Sequence, residues 1–285
     1  MQNKTILITG ANRGLGLNLA IKFIKKKYIV ILCSKNFKNF KKEIKKYNDI
    51  DESKIYFINS DVSKYEDIIK VKKYLKSKIK KLDILINNAA RIGPIGEFHK
   101  NNNKDWIKTI ETNLFGSINM IKISLPFLKK SKRGKIIQIS GGGASGPFPN
   151  FSAYATSKVA IVRFIETISI ELKKYNIDAN CIAPGNLKTD LQKKVFEAGK
   201  SATGDEYYNK INKLLKRKKE NFSKPIKLIE FLISDKSNGI SGKLISAVWD
   251  NWKIFDKNKL KLMNQDVYTL RRIVGKERNF KKGDL

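Results

Sequence analysis

Short apolar runs alternate with longer amphipathic stretches along most of the chain. Seven runs rich in Ile and bounded by polar residues predict buried strands: 5–9, 28–33, 54–59, 83–87, 135–140, 178–183 and 243–248. Apolar residues at helical spacing predict helices, most clearly over 15–27, 64–80, 105–130 and 153–175. Strands that alternate with helices form a parallel sheet with helices on both faces. The pattern therefore predicts a doubly wound α/β fold of about seven strands.

Two segments depart from this alternation. Residues 190–224 form a Lys-rich stretch between a predicted strand and the next helix, and residues 251–285 continue beyond the last strand. No internal repeat and no Pro- or Ser-rich linker interrupts the chain. We therefore expect a single domain over residues 1–250, with an insert at 190–224 and a C-terminal extension at 251–285.

The composition restricts the class of protein. Apolar residues make up 41% of the 285 residues, which is ordinary for a chain that buries one sizeable core. No apolar run approaches the ~18 residues that a membrane span needs. The first predicted strand begins too close to Met1 to leave room for a targeting peptide. We therefore expect a cytoplasmic protein with no membrane partner.

The net charge is strongly positive, because 59 Lys and Arg residues outnumber 26 Asp and Glu residues to give +33. A clustered charge of this size would indicate nucleic acid as a partner. Here the lysines are spread over every predicted helix, together with abundant Ile and Asn, which favours a solvated surface of biased composition. We therefore expect no nucleic-acid partner. The alternative interpretation of the charge is a basic protein that binds nucleic acid.

Cysteine and histidine usage argues against several kinds of site. The chain contains two cysteines, Cys33 and Cys181, and one histidine, His99. This supply supports neither a disulfide framework nor a metal site, and it argues against a histidine-dependent catalytic triad. We therefore expect no metal and look for chemistry carried by other residue types.

A glycine-rich turn follows the first predicted strand and leads into a helix. Gly10 permits the tight turn, Gly14 lets the backbone approach a pyrophosphate, and Gly16 allows the helix to pack closely on the strand. The N-terminus of the helix, at Leu15, offers free N–H groups to phosphates. With the preceding Thr9, this turn resembles the TGxxxGxG turn of the short-chain dehydrogenase/reductase family. The resemblance implies a Rossmann-type fold and a dinucleotide cofactor.

The end of the second predicted strand indicates which dinucleotide binds. NAD enzymes place an acid there for the ribose, whereas NADP enzymes offer a cation. This chain has Ser34 and Lys35 with no acid, and Arg13 adds a second cation in the glycine turn. The sequence therefore favours NADP(H) over NAD(H). The alternative is that Lys35 is one more surface lysine in a lysine-rich chain. The resemblance also assigns Asp61 and Val62 to the adenine.

Two residues on a predicted helix carry the strongest catalytic signal. Tyr154 and Lys158 are four residues apart and therefore share one helix face. A neighbouring cation lowers the pKa of a phenol, so the tyrosine can exchange a proton near neutral pH. The pair resembles the family's YxxxK motif. The resemblance adds Asn113, at the family's NxxG position, as the anchor of a water that passes protons toward the lysine.

Two further motifs resemble cofactor contacts of the family. The NNAG-like element after the fourth strand has Ala90 in place of glycine, and it implies a supporting role beside the adenosine. The turn after the sixth strand implies a contact with the nicotinamide. Together these motifs assign five cofactor residues: Asn87, Ala89, Pro184, Gly185 and Thr189.

One motif departs from the family pattern. The family serine that steadies the substrate oxygen usually lies thirteen residues before the tyrosine, and Gly141 occupies that position here. We favour Ser140, one residue earlier, as the substitute. Ser145 and the backbone N–H groups of residues 141–143 are the alternatives.

The resemblance implies hydride transfer between a nicotinamide and a carbonyl or alcohol, with Tyr154 exchanging the proton. The insert occupies the position of the family's substrate lid, and it contains Phe196, Tyr207 and Tyr208 among many lysines. A 3-oxoacyl thioester, a sugar or sugar nucleotide and a small ketone all stay open as substrates. A non-catalytic NADP-binding regulator is the alternative function, although such a protein would not need both Tyr154 and Lys158.

Two predicted helices, 105–130 and 153–175, carry apolar residues on more than one face. Such helices need partners beyond their own sheet. In the family they form a dimer interface, so we expect a homodimer or homotetramer. Burial beneath the C-terminal extension is the alternative.

Overall fold

A computed structural model describes residues 4–218 and 221–278. Within these residues the sheet has seven strands: β1 Thr5–Thr9, β2 Ile29–Ser34, β3 Ile55–Asn59, β4 Ile84–Asn87, β5 Gly134–Ile139, β6 Ile177–Ala183 and β7 Leu244–Ser246. Every neighbouring pair is parallel, and the strand order is β3-β2-β1-β4-β5-β6-β7. The predicted doubly wound α/β fold is confirmed.

Helices cover both faces of the sheet. Their bounds are α1 Gly14–Lys25, α2 Lys38–Ile44, α3 Tyr65–Lys78, α4 Asn103–Ile110, α5 Gly116–Leu128, α6 Ser152–Leu172, α7 Asp190–Glu197, α8 Lys200–Thr203, α9 Asp205–Leu215, α10 Ser223–Leu232 and α11 Lys259–Met263. One core joins apolar residues of α1 and α10, and the other joins those of α3, α5 and α6. Over the described ranges, no helix combines the length and apolar character needed to cross a bilayer.

The central strands are buried on both faces. In β1, Ile6 and Ile8 pack in the core beside α1, whereas Leu7 between them packs in the core beside α3 and α5. Successive side chains of a strand point to opposite faces, so a strand covered on both sides is apolar at every position. This explains why the strands appear in the sequence as short Ile-rich runs without alternation.

The predicted helix over 105–130 is interrupted. A π-helical turn, Glu111–Phe115, separates α4 from α5. The Asn113 side chain in this turn bonds to both the amide and the carbonyl of Arg91, each at 2.9 Å. This tertiary attachment holds the extra residue of the wider turn, and such turns are common at functional sites.

The insert at 190–224 folds into three short helices, α7 to α9, before α10 begins. Buried side chains explain this packing, because Val195, Ile211 and Leu214 cluster with Phe151 and Tyr154 of the main body. The described lysines of the insert are exposed around this apolar contact. We call α7 to α9 the lid, and residues 219 and 220 of the predicted insert lie outside the described residues.

The C-terminal extension packs against the edge of the sheet. Phe255 and Leu262 are 4% and 5% exposed and belong to the core beside α1 and α10. Further along, the amide of Leu244 on β7 donates to the carbonyl oxygen of Tyr268 at 2.8 Å. The extension therefore covers the outer edge of β7, and residues 279–285 at its end lie outside the described residues.

The packing of α11 gives a direct test. Leu262→Ala removes a buried side chain and should lower the free energy of unfolding by about 2–4 kcal/mol. Leu260 lies in the same helix but is 81% exposed, so Leu260→Ala should change it by less than about 0.5 kcal/mol. Urea unfolding followed by circular dichroism measures both, and equal losses would contradict the packing of the extension.

Candidate active site

A cleft of about 560 Å³ opens at the carboxyl ends of the strands. The strand order reverses between β1 and β4, and a parallel sheet leaves a crevice where neighbouring connections run to opposite faces. The loops that follow β1 to β6 all contribute to its lining. The topology therefore gathers segments that are far apart in the sequence around one space.

Most of the predicted site residues line this cleft. Toward β2 and β3 these are Gly10, Arg13, Gly14, Leu15, Ser34, Lys35, Asp61, Val62 and Ala89. Toward β5 and β6 these are Ser140, Tyr154, Lys158, Pro184, Gly185 and Thr189. Three predicted residues lie behind the lining: Gly16, Asn87 and Asn113.

The glycine turn brings two backbones into close contact. Gly10 has a φ of +65°, and a Cβ built on it would lie 2.9 Å from the Cα of Ala89. A Cβ on Gly16 would collide with the carbonyl oxygen of Gly10. Gly16 therefore allows α1 to pack on the end of β1, whereas Gly10 and Gly14 shape the cleft itself.

Asn88 joins the two central loops, a role that no motif in the sequence indicates. Its Nδ2 donates to the carbonyl oxygens of Thr9 and Gly10, at 3.0 and 3.1 Å. The neighbouring Asn87 is 1% exposed and donates to the carbonyl oxygen of Ser117 at 3.0 Å. Asn87 thus anchors α5 behind the cleft and does not line it, and its assignment to the cofactor stays a prediction.

The two cations predicted to distinguish NADP from NAD face carboxylates. The Lys35 Nζ lies 2.6 Å from Asp61, and the Arg13 guanidinium lies 3.1 Å from Asp190. Burial raises the pKa of Asp61, but hydrogen bonds from Lys35 and Ser63 outweigh it, so the pKa is below its ordinary value. Lys35 and Arg13 are 63% and 61% exposed, so both pairs are open to exchange with another anion.

Tyr154 and Lys158 stand side by side on the wall of the cleft formed by α6. The Lys158 Nζ lies 5.4 Å from the centroid of the Tyr154 ring. Lys158 is 1% exposed, and its Nζ donates to the carbonyl oxygen of Ile139 at 3.0 Å. A buried ammonium beside a phenol is an arrangement that can hold and transfer protons.

Burial dominates the titration of this pair. It raises the pKa of Tyr154, with a smaller contribution from Tyr207, and it lowers the pKa of Lys158 to about 8. The expected lowering of the tyrosine pKa is therefore not observed. The reason is that the phenol is nearly enclosed, whereas the lysine ammonium is engaged by the Ile139 carbonyl.

The Asn113 side chain connects its own π-helical turn to the loop at Arg91 and to α6. Besides its two bonds to Arg91, its Nδ2 donates to the Ser157 hydroxyl at 3.0 Å. The Ser157 hydroxyl in turn donates to the carbonyl oxygen of Tyr154 at 2.7 Å. These bonds occupy the Asn113 side chain and connect it to the first turn of α6, so the water-anchoring role implied by resemblance stays a prediction.

The glycine at position 141 lies directly beside the tyrosine hydroxyl. A Cβ built on Gly141 would lie 2.5 Å from the Tyr154 Oη. One residue earlier, Ser140 is 2% exposed and lines the cleft, and its Oγ has no hydrogen-bond partner among the described residues. The structure therefore brings an uncommitted hydroxyl to the cleft at Ser140.

Ser145 lies elsewhere. It is exposed, and it lines a separate shallow depression together with Arg163 of α6 and Leu270 of the extension. It does not line the cleft that contains Tyr154. Of the two candidate serines, only Ser140 lines the same cleft as Tyr154 and Lys158.

Comparison with known proteins places this arrangement in a family. The pattern of the short chain dehydrogenase family matches residues 4–200, a stretch that contains the glycine turn, Tyr154 and Lys158. The chain belongs to the short chain dehydrogenase family. The members of this family are NAD(P)-dependent oxidoreductases of alcohols and carbonyl compounds.

Individual relatives share part of their length with this family member. It is 33% identical to 11-beta-hydroxysteroid dehydrogenase-like 3 of Arabidopsis thaliana, over 66% of this chain and 60% of that protein. It is 29% identical to L-fucose dehydrogenase of Oryctolagus cuniculus, over 66% and 64%. The chain thus spans less than two thirds of the length of these curated relatives. The solved structure of ElxO with NADP bound is 28% identical, with a TM-score of 0.73 over 86% of this chain and 97% of that one.

Several residues of the cleft carry no family motif and were missed in the sequence. The cations Arg91, Lys108 and Lys194 line it, and so does the amide of Gln192 on the lid. Arg91 pairs with Asp105 of α4 at 2.9 Å. In a chain with 59 Lys and Arg residues, no pattern distinguishes cations that line a cleft from those that face solvent.

The lid aromatics expected to stack on a substrate pack mainly on the protein. Phe196 and Tyr208 stack on each other, with ring centroids 5.0 Å apart. Tyr207 contacts Phe148 and Phe151 at 5.1 and 5.4 Å. These contacts close the lid over the buried face of α6, and none of the three lid aromatics lines the cleft.

The burial of Lys158 predicts a specific dependence of stability on pH. A pKa lowered to about 8 in the folded state means that the unfolded chain binds more protons between pH 8 and 10.5. The contribution of Lys158 to the free energy of unfolding should therefore rise by about 3 kcal/mol as the pH increases from 8 to 10.5. This gain should be lost as the pH falls back through 8. The free energy of unfolding, measured against Lys158→Met at each pH, isolates this contribution. A constant difference between the two proteins would show that Lys158 titrates normally.

Proposed function

We propose that this protein is an NADP(H)-dependent oxidoreductase that interconverts a carbonyl compound and its alcohol. The observation that carries the proposal is the position of buried Tyr154 and Lys158 on the wall of a cleft whose other end is the glycine turn. One end of such a cleft suits phosphates and the other suits proton transfer. A non-catalytic regulator would need only the first end.

The residues of the cleft fit a dinucleotide. Gly10 and Gly14 have positive φ angles and leave the turn before α1 without side chains, which gives a phosphate access to backbone N–H groups. Ser34, Lys35 and Arg13 would hold a 2′-phosphate, and the residues around Val62 and Ala89 would hold the adenosine. The turn at Pro184, Gly185 and Thr189 would hold the nicotinamide end, and this group, when bound, supplies the hydride that adds to the carbonyl carbon.

The residues of the chain supply the proton and the orientation. The Tyr154 Oη–H donates its proton to the carbonyl oxygen, which completes the alcohol. Burial keeps the phenol protonated until the oxygen gains charge. Lys158, whose pKa is lowered to about 8, holds a proton at neutral pH within reach of the same space. The Ser140 hydroxyl donates to the substrate oxygen and steadies it for this transfer.

The preference for NADP(H) over NAD(H) rests on charge at the end of β2. Lys35 and Arg13 are exposed cations at the rim of the cleft, paired with Asp61 and Asp190. A 2′-phosphate is a dianion with three acceptor oxygens, so it competes well with a single carboxylate for these cations. The similar ElxO structure contains NADP, which supports the same choice.

NADPH should bind at least ~10-fold more tightly than NADH, because one charge-assisted contact contributes about 1.4 kcal/mol. Lys35→Asp should shrink or reverse this preference. Lys42 on α2 is also exposed but does not line the cleft, so Lys42→Asp should leave it unchanged. Titration of both nucleotides into each protein measures the ratios, and equal affinities in the unmodified protein would refute the preference.

Substitution in the catalytic pair tests the reaction itself. Tyr154→Phe should lower the rate of NADPH-dependent carbonyl reduction by ~10²-fold or more, with NADPH binding nearly unchanged. Ser140→Ala should lower it by ~10- to 10³-fold, as expected on loss of a donor to developing charge. Ser145→Ala serves as the matched control and should have little effect.

The outcomes separate the assignments. A Tyr154→Phe protein that keeps most of its turnover would mean that the proton comes from another group. A larger loss for Ser145→Ala than for Ser140→Ala would transfer the donor role to Ser145. Normal rates in both serine variants would favour the backbone amides of residues 141–143.

A second copy of the chain is the partner we propose for the exposed apolar side chains of the π-helical turn and α6. Phe115 of that turn and Ile170 of α6 are 54% and 76% exposed. The described part of the extension contacts α6 where Arg271 pairs with Glu166 at 2.6 Å. The homodimer or homotetramer and the cytoplasmic location both stay predictions.

The substrate candidates are a sugar and a 3-oxoacyl thioester. The similarity to L-fucose dehydrogenase supports the sugar.

A further inference from the structure

Two buried polar atoms in the cleft have no hydrogen-bond partner among the described residues. They are the Oγ of Ser140 and the Oε1 of Gln192. Buried polar atoms are almost always paired, so an unpaired one that faces a ligand space indicates a group that the ligand supplies. Ser140 is already assigned to the reacting oxygen. Gln192, on the opposite, lid side, has no assigned role.

Gln192 is held firmly in its position. It lies in the first turn of α7, where its backbone N–H donates to the Thr189 carbonyl oxygen at 3.0 Å. The whole residue is 8% exposed. On the same helix, Val195 is fully buried in the contact between the lid and Phe151. Burial raises the pKa of Tyr207, and a side-chain hydrogen bond with Gln192 opposes this shift. The side chain of Gln192 therefore lies beside Tyr207, and its Oε1 stays buried without a partner in a residue that lines the cleft.

The same aromatic cluster connects Gln192 to the reacting centre. Tyr207 packs edge-on against Phe148, and Phe148 lies 6.4 Å from the Tyr154 ring in a similar geometry. Tyr207 also contributes to the raised pKa of Tyr154. Gln192 and Tyr154 thus line the same cleft from the lid and from α6. A group held by Gln192 would occupy the same cleft as the reacting carbon.

We propose that the Oε1 of Gln192 accepts a hydrogen bond from a hydroxyl of the substrate beside its carbonyl group. The proposal rests on the proposed function and narrows its substrate class to hydroxylated carbonyl compounds, of which sugars are the common example. A 3-oxoacyl thioester has no hydroxyl donor next to the carbonyl that is reduced. A site built around a buried acceptor discriminates strongly against an analogue without the donor, because the acceptor then stays unpaired.

Matched substrates test this assignment. Acetoin and butanone share one carbon skeleton and differ in a hydroxyl next to the carbonyl, and 2-hydroxypropanal and propanal form a second pair with the same difference. The unmodified protein with NADPH should show a kcat/KM at least ~10-fold higher for the hydroxylated member of each pair. Gln192→Leu should lower this ratio toward one by loss on the hydroxylated member alone, and Gln192→Glu, which keeps an acceptor, should preserve it.

Lys193→Leu is the matched control, because Lys193 is the next residue of α7 but is exposed and does not line the cleft. It should leave both ratios unchanged. Equal kcat/KM values for the two members of each pair would overturn the proposal. An equal loss on both members in Gln192→Leu would also overturn it, since the residue would then only support the lid.

A binding measurement separates this proposal from the proposed reaction. In the Tyr154→Phe protein saturated with NADP⁺, butane-2,3-diol should bind at least ~10-fold more tightly than butan-2-ol by calorimetry. Gln192→Leu in that background should remove the difference. The absence of any diol preference would refute the role of Gln192 whether or not the protein reduces carbonyl compounds. Failure of the reaction with a diol preference intact would refute only the proposed function.

Discussion

The close contact of Asn88 with the glycine turn is the constraint on which the cleft depends. The Asn88 side chain bonds to the carbonyl oxygens of Thr9 and Gly10, and its Nδ2 would lie 2.5 Å from a Cβ on Gly16. Any side chain at Gly16 would therefore separate α1 from the ends of β1 and β4. Because β1 and β4 flank the reversal of strand order, this contact holds together the two loops between which the crevice opens.

Burial shifts the pKa values of two polar groups on the α6 wall of the cleft. Lys158 is nearly inaccessible, and its pKa is lowered to about 8 because of this burial. Burial also raises the pKa of the Tyr154 phenol. In the free amino acids the two groups titrate close together, near ~10. Burial separates the two pKa values, since it lowers that of the lysine and raises that of the phenol. The lid contributes to this separation, since Val195 and Tyr207 help to enclose Tyr154.

Local pattern and tertiary contact divide what the sequence can predict. The strands were predicted closely, β1 without error, because burial on both faces leaves a signal at every position. The break at Glu111–Phe115 was not, because it depends on bonds from Asn113 to Arg91, which no helical periodicity records. The lid appeared only as a Lys-rich stretch, since a few buried positions such as Ile211 hold it against residues far away in the sequence.

The site shows the same division. Motifs located the glycine turn and the pair on α6, because spacing along a helix or a turn determines which atoms meet. The pKa of Tyr154 was expected to fall, because the sequence shows the lysine four residues away but does not show the enclosure of the phenol. Asn88 and Gln192 were missed because their roles depend on partners brought close by the sheet and the lid.

The backbone at Gly141 leaves no room for a side chain beside the Tyr154 hydroxyl. The Tyr154 Oη lies where a side chain at 141 would begin, so the phenol approaches the backbone of this loop directly. A Cβ on Gly142 would likewise lie 3.1 Å from the Phe148 ring, which packs against the same loop. Gly141 is closed to a side chain, and the serine of this segment that lines the cleft is Ser140, which directly follows β5. Its amide bonds to the Ile182 carbonyl oxygen at 2.8 Å, so the hydroxyl is attached to the rigid sheet rather than to the glycine loop that follows.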